Sequence, residues 1–180
     1  MIGKLTAAAC LTAIGAHAGE LKVDDQKSWV KVDAKSTGHS FSGSLEKFSA
    51  SVTGDDTSLE PKSALLKWDF ADLKTGDVKR DAEMLKWLDH GSKPGGEFRM
   101  VKTWKDKAGN TQAQGTLKIH GVSKTIVFPV TAKRDGKRVK IDGSVWLDYQ
   151  EFSLPVVRAM VVMTVDPKLN VRFHLEGDAS

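Results

Sequence analysis

The sixteen residues from Gly115 to Val130, GTLKIHGVSKTIVFPV, limit the possible folds more than any other stretch. Gly115, Leu117 and Ile119 alternate with Thr116, Lys118 and His120, the period-2 pattern of a half-buried strand. A short turn containing Gly121 follows, and then a second run, TIVFPV, that is apolar on both faces. Two such runs around a Gly-containing turn predict a β-hairpin. Pro129 has no N–H to give to a neighbouring strand, so it predicts a bulge or an edge position.

The same alternation recurs along the chain. Val30, Val32 and Ala34 face one way from Trp29 to Ala34. Ala64, Leu66, Trp68 and Phe70 share a face in SALLKWDFADL. Val139, Ile141, Val145 and Leu147 form another series, as do Leu169, Val171, Phe173 and Leu175. From His39 to Val52, Ser and Gly are too frequent for a helix, and strands bending at Gly43 are expected. Phe98, Met100 and Trp104 alternate in EFRMVKTWK, interrupted by Lys102, and AMVVMTV (159–165) reads as an apolar strand. Turns fall at Lys93–Gly96, Asp106–Asn110, Asp135-Gly136 and Asp166-Pro167. Only Thr75 to Asp89 has a helical period: Val78, Ala82 and Leu85 stack, Met84, Trp87 and Leu88 widen the stripe, and Thr75 or Asp77 is the expected N-cap. About eight strands at regular spacing with one short helix predict an antiparallel barrel or sandwich, with closure removing the exposed edges. An eight-stranded barrel is either filled by side chains or holds one small ligand, and the strand pattern does not choose.

The chain has 180 residues, one domain by size. Its first 18 residues resemble a secretory leader: Lys4, an apolar run from Leu5 to Gly15, and Ala16-His17-Ala18 as a cleavage site, with the mature domain expected from residue 19 to residue 180. That reading implies a periplasmic or secreted protein. The leader carries Lys4 and no acid, so its removal takes the net charge from +4 to +3, and it takes away the only Cys, Cys10. No basic block appears, which disfavours nucleic acid as a partner.

Nothing in the sequence announces catalysis. No G-x-S-x-G or H-x-x-H is present, and the paired acids Asp24-Asp25 and Asp55-Asp56 sit in polar loop sequence. Gly95-Gly96 lacks the Lys-Ser/Thr of a phosphate loop. No cofactor is expected, and the protein reads as a non-enzyme. What remains is apolar bulk at inward positions, in keeping with a site that is mostly hydrophobic with few polar groups.

GTLKIHGVSKTIVFPV resembles the G-x-L-x-I-H-G-V-x-K hairpin of the YceI-like family, and Thr75, Gly76, Arg80, Asp81 and Leu85 match its T-G-x-x-x-R-D-x-x-L element. HGSKPGGEF (90–98) stands where that family has an aromatic-rich segment with Tyr-Pro, which leaves the ligand's identity open. The resemblance implies an all-β, extended eight-stranded antiparallel lipocalin-like barrel with one short helix. Its lumen would hold a long-chain isoprenoid, a polyprenyl or quinone-type lipid, for sequestration or transport, with transient membrane contact. The oligomeric state is left open, a homodimer included. The lumen residues expected on this reading are Phe41, Leu66, Trp68, Phe70, Leu85, Phe98, Met100, Leu117, Ile119, Phe128 and Met160, with Trp104 a further aromatic of that group. Arg80, Asp81 and His120 are expected at the rim or head group, although His120 reads equally as a turn residue. The alternative is a ligand-free, filled barrel serving as an envelope stress-response or protein-interaction module.

Overall fold

The structure, a computed structural model, describes residues 18–55, 60–159 and 163–179. Thirteen strands are seen: β1 (Ala18–Val23), β2 (Trp29–Ser36), β3 (His39–Leu45), β4 (Ser49–Asp55), β5 (Pro61–Asp69), β6 (Leu73–Lys74), β7 (Gly95–Lys105), β8 (Thr111–Ile119), β9 (Val122–Asp135), β10 (Arg138–Asp148), β11 (Arg158–Ala159), β12 (Met163–Thr164) and β13 (Lys168–Ala179). One helix, α1 (Val78–Trp87), lies between β6 and β7. Eight strands form a closed antiparallel ring in the order β1-β4-β5-β7-β8-β9-β10-β13, with β13 returning to β1.

The three remaining strands of this sheet extend ring strands past a break. β13 carries β1 on Gly177–Ala179 and β2 on Asn170–His174, so β1 and β2 are one line interrupted at residues 24–28. β3 and β4 are likewise one line broken at residues 46–48, and β5 continues into β6 through a 3-10 turn at Phe70–Asp72. The result is the extended eight-stranded barrel that the family resemblance implies, where the alternation alone left barrel and sandwich open. The predicted bend at Gly43 is not there: Gly43 pairs with Val32 inside β3, and the space of its missing side chain is taken by Leu73, 3.0 Å from where a Cβ would stand.

The interruption of alternation at Lys102 is a bulge, with the β7–β8 register shifting between Met100 and Lys102. The extra residue, Val101, points outward. The expected strand at 159–165 turns back on itself, since Ala159 of β11 pairs with Met163 of β12. The β9–β10 ladder runs from Asp135–Arg138 to Val130–Gly143 and stops. The next residue of β9 is Pro129, which has no N–H to offer, as its edge character predicted.

α1 starts at Asp77, whose carboxylate accepts from the N–H groups of Lys79 and Arg80 at 3.0 Å each. The Arg80 N–H bond is the largest effect on this carboxyl; burial, next in size, opposes it, and the Lys79 N–H with the charges of Arg80 and Lys79 keeps the pKa below its usual range. Val78 does not join the apolar stripe; it is 85% exposed. The face that packs is Met84, Leu85, Trp87 and Leu88, set against Phe70, Leu117, Tyr149, Phe152 and Leu154. This cluster closes one end of the barrel. Phe152, in the 3-10 turn Tyr149–Phe152, is its most buried member at 1% exposure.

Candidate functional site

Inside the barrel is a cavity of about 1140 Å³. It is lined by inward residues of nearly every strand, from Val52 and Pro61 at one end to Met84 and Trp87 at the other. That exceeds the roughly 300–1,000 Å³ of a pocket for a drug-sized molecule. The lining is overwhelmingly aliphatic and aromatic, because the period-2 pattern sends every second residue inward.

Of the residues anticipated from sequence, Phe41, Leu66, Trp68, Phe70, Phe98, Met100, Leu117, Ile119 and Phe128 line this cavity together. Leu85 does not: it packs into the cluster beneath α1, and its neighbours Met84 and Leu88 face the lumen instead. Met160 lies outside the described residues. Trp104 lies on the outer surface at the edge of exposure, with the Lys102 ammonium 5.4 Å from its ring centroid. It sits beyond the bulge, which re-aims the strand.

The lumen stays wide because large rings stand opposite glycines. Trp68 pairs directly with Gly96, and Phe173 with Gly143. A Cβ on Gly143 would stand 2.4 Å from the Phe173 ring, so that ring lies flat along the wall in room only glycine leaves. Phe98, Phe128 and Phe173 then form a chain of tilted and edge-on contacts with centroids 5.6 and 5.8 Å apart.

One end of the cavity is polar. Arg80 lies over the Phe41 ring at 4.4 Å and donates from Nε to Thr75 Oγ1 (2.8 Å) and from a terminal nitrogen to Thr75 O (2.9 Å). Asp81 is not at the cavity. Its carboxylate accepts from Thr75 N (3.0 Å) and Thr75 Oγ1 (2.5 Å), so it holds the threonine that holds Arg80. The sequence reading did not find His39, Lys79, Glu83 and Arg158, which complete this rim. For His39 a signal existed: it is two residues before Phe41 and so on the same face of β3.

His120 is a turn residue. Its φ of 52° is left-handed, Nδ1 is 3.2 Å from Phe152 O, and Nε2 is 3.1 Å from Lys93 Nζ. It fastens the β8–β9 turn to the buried 3-10 turn and does not line the cavity. Tyr149 does a similar job from the lumen side. Its hydroxyl donates to Val165 O (2.9 Å) and accepts from Val157 N–H (3.2 Å), and burial pushes the phenol's pKa up. Among the described residues, no group of three or more His, Cys, Asp or Glu side chains is arranged to hold a metal ion.

A closed antiparallel barrel around one long apolar cavity, capped by a helix and polar at a single rim, is the architecture of a container for an apolar molecule. The family profile described as the YceI-like domain matches residues 21–177, and the chain belongs to that family. A UPF0312 protein of Vibrio parahaemolyticus is 24% identical over 175 residues, covering 91% of this chain and 89% of its own length. The crystal structure of Burkholderia cenocepacia BcnA is 25% identical with a TM-score of 0.76, over 87% of this chain and 99% of that one. A polyisoprenoid binding domain from Saccharophagus degradans, implicated in plant cell wall breakdown, shares the fold at 14% identity, with a TM-score of 0.68 over 91% of this chain and 100% of that one.

Proposed function

We propose that this protein is a carrier that holds a long-chain isoprenoid, a polyprenyl or quinone-type lipid, in its barrel lumen, for sequestration or transport outside the cytoplasm after loss of residues 1–18. The observation that carries this reading is the cavity itself. About 1140 Å³ of continuous space walled by apolar side chains has no use for water. It gains roughly 0.8 kcal/mol for each methylene withdrawn from solvent. A barrel filled by its own side chains would leave no such space. Shape adds to this: the cavity follows strands of 9 to 14 residues, which suits a long thin chain better than a compact ligand. The fold shared with a polyisoprenoid-binding domain supports the reading by analogy. No step of chemistry is needed, and the polar rim at Arg80 and His39 would face whatever head the chain carries.

The direct test is extraction of the purified protein with organic solvent and mass spectrometry of the extract. An isoprenoid at near one per protein is the expected result. Trp68 and Trp87 both face the cavity, so added polyprenol should change Trp emission saturably, and Trp68→Phe should remove much of that change. An extract without lipid, joined to emission and melting temperature that polyprenols leave untouched, would return the protein to the ligand-free interaction module.

A further inference from the structure

The β9–β10 ladder ends at Val130–Gly143, but both strands continue. Residues 122–129 of β9 keep β8 as a partner on one side, and residues 144–148 of β10 keep β13 on the other. Their facing edges have no strand partner among the described residues. The 3-10 turn Tyr149–Phe152 crosses below, where Phe152 packs with Val122 and Ile126. This bounds a slot about four residues long, or roughly 13 Å at 3.3 Å per residue. Ile126 and Phe128 on one side and Val145 and Leu147 on the other all line the cavity, so the slot lies in the cavity's own wall.

The outer lips of the slot differ from the rest of the surface. In a chain that is 28% charged, the outward residues of the two edges are Thr125, Val127 and Pro129 on one side and Ser144 and Trp146 on the other, with Gln114 behind the first on β8 and Asn170 and the Arg172–Asp33 ion pair behind the second. Trp146 is 64% exposed and Val127 50%. Continuing the register past Gly143–Val130 sets Ser144 opposite Pro129 and Trp146 opposite Val127. An exposed Trp between uncharged lips, with the nearest charge held in the Arg172–Asp33 pair, is suited to the interface of a neutral bilayer, where its ring is half wet and half apolar.

We infer that the gap between β9 and β10 is a lateral portal, docked on a lipid surface by Trp146 and Val127, through which an apolar chain passes between bilayer and lumen. This rests on the proposed carrier function and adds the route and the partner surface. An apolar chain that crosses here never has to leave apolar surroundings, whereas at the Arg80 rim it would pass charged groups. Pro129 keeps the portal open because it cannot supply the next hydrogen bond of the ladder.

The test uses the full chain with Cys10→Ser, so that the only thiols are those introduced by Pro129→Cys and Ser144→Cys. Transfer of a polyprenol from phosphatidylcholine vesicles is followed by Trp68 fluorescence, with the same full chain lacking the two new thiols as reference. The reduced double variant regains an N–H at residue 129 and should transfer somewhat more slowly than the reference; oxidation should slow it at least tenfold further, dithiothreitol should undo that step, and the lipid held at equilibrium should be unchanged. In a separate variant, Trp146→Lys should slow transfer and weaken vesicle association without lowering the lipid content. An oxidised, disulfide-bonded protein that transfers at the reference rate would overturn the portal and assign passage to the Arg80 rim. A reference rate that falls with protein concentration as a dimer forms would assign these edges to strand pairing between copies, and would also overturn it. Failure of the unsubstituted protein to take up any lipid refutes the carrier function itself, a result distinct from a carrier whose portal is elsewhere.

Discussion

Two of the breaks in the barrel wall look alike in topology and differ in chemistry. Between β1 and β2, residues 24–28 leave the ladder with β13, yet the wall stays sealed. Asp24 N–H donates to Glu176 O (2.7 Å), and the Ser28 hydroxyl donates to the same carbonyl (3.3 Å) while accepting from Glu176 N–H (3.0 Å). The Glu176 carboxylate is buried among Lys27, Arg138 and Lys140, with His174 at 3.5 Å. Between β9 and β10 no such polar bond is seen among the described residues, and only apolar side chains, Val145 and Leu147 with Ile126 and Phe128, pack there. Pro129 withdraws a donor, Gly143 ends the ladder, and the lips are Thr, Ser, Val and Trp. In the first break polar side chains replace the missing backbone bonds; in the second the sequence supplies neither donors nor charge to do so, which is what the proposed portal requires.

The largest effect should come from the floor of the open gap. Phe152→Ala empties the most buried position of the cluster under α1 and should cost about 4 kcal/mol. Urea unfolding measures it, and a loss under 1 kcal/mol would mean that the turn closes nothing. Next is the sealed gap. Ser28→Ala leaves the buried Glu176 N–H without its partner, while the carbonyl keeps Asp24 N–H, and should cost about 2 kcal/mol. Hydrogen exchange should speed up at residues 174–177 while residues 143–148 keep their rates; uniform acceleration would erase the contrast.

Of the two gaps, acid should act on the sealed one. Burial pushes the Glu176 carboxyl up, but the His174 hydrogen bond and the charges of Lys140, Lys27 and Arg138 outweigh it, so its pKa lies below the ordinary value of 4.5. A carboxyl with a depressed pKa when folded contributes stability that is complete above its unfolded pKa. That contribution is lost as pH falls through the folded pKa. Melting temperature should therefore drop below about pH 4.5. Glu176→Gln should flatten that part of the curve, and an unaltered acid limb would place the sensitivity elsewhere, at Asp33 for example, whose carboxyl is lowered by hydrogen bonds from Arg172 and Ser42. The smallest effect is Trp146→Ser, which touches no core and should move stability by no more than about 0.5 kcal/mol. A loss of several kcal/mol would show that Trp146 belongs to the packed wall and not to an exposed lip.

Much of this could be read from the sequence, and the misses share a cause. Alternation located the ring strands β5, β7, β8, β9, β10 and β13 and put Ala64, Leu66, Trp68 and Phe70 on one inward face, but β1 carried no such signal and was not read as a strand. Pro129 marked the end of a ladder, because a missing N–H is a property of one residue and needs no knowledge of its neighbours. The break at 46–48 was misplaced onto Gly43, because a strand glycine can signal either a bend or a close neighbour. Here it makes room for Leu73, thirty residues on. Val78 fits a helical stripe by spacing, yet it lies in the first turn, beyond the reach of the cluster that buries Leu88. The ion-paired seal at residues 24–28 was invisible for the same reason. Asp24 reads as a loop charge until the topology brings Arg138 and Glu176 beside it.

The pairing of Leu21 with Ala179 sets the order in which the protein can be made. β13 is the common partner of β1, β2 and β10, so the ring cannot close until segments from opposite ends of the chain have met. Contacts so distant in sequence are the slow ones, on the scale of milliseconds to seconds for all-β domains. Until that moment the apolar lining and two long edges are open to water. Refolding should therefore pass through a species that binds an apolar dye and then releases it as β13 docks. Residues 168–179 become a clock for the whole barrel: loosening them should slow closure far more than it weakens the finished wall.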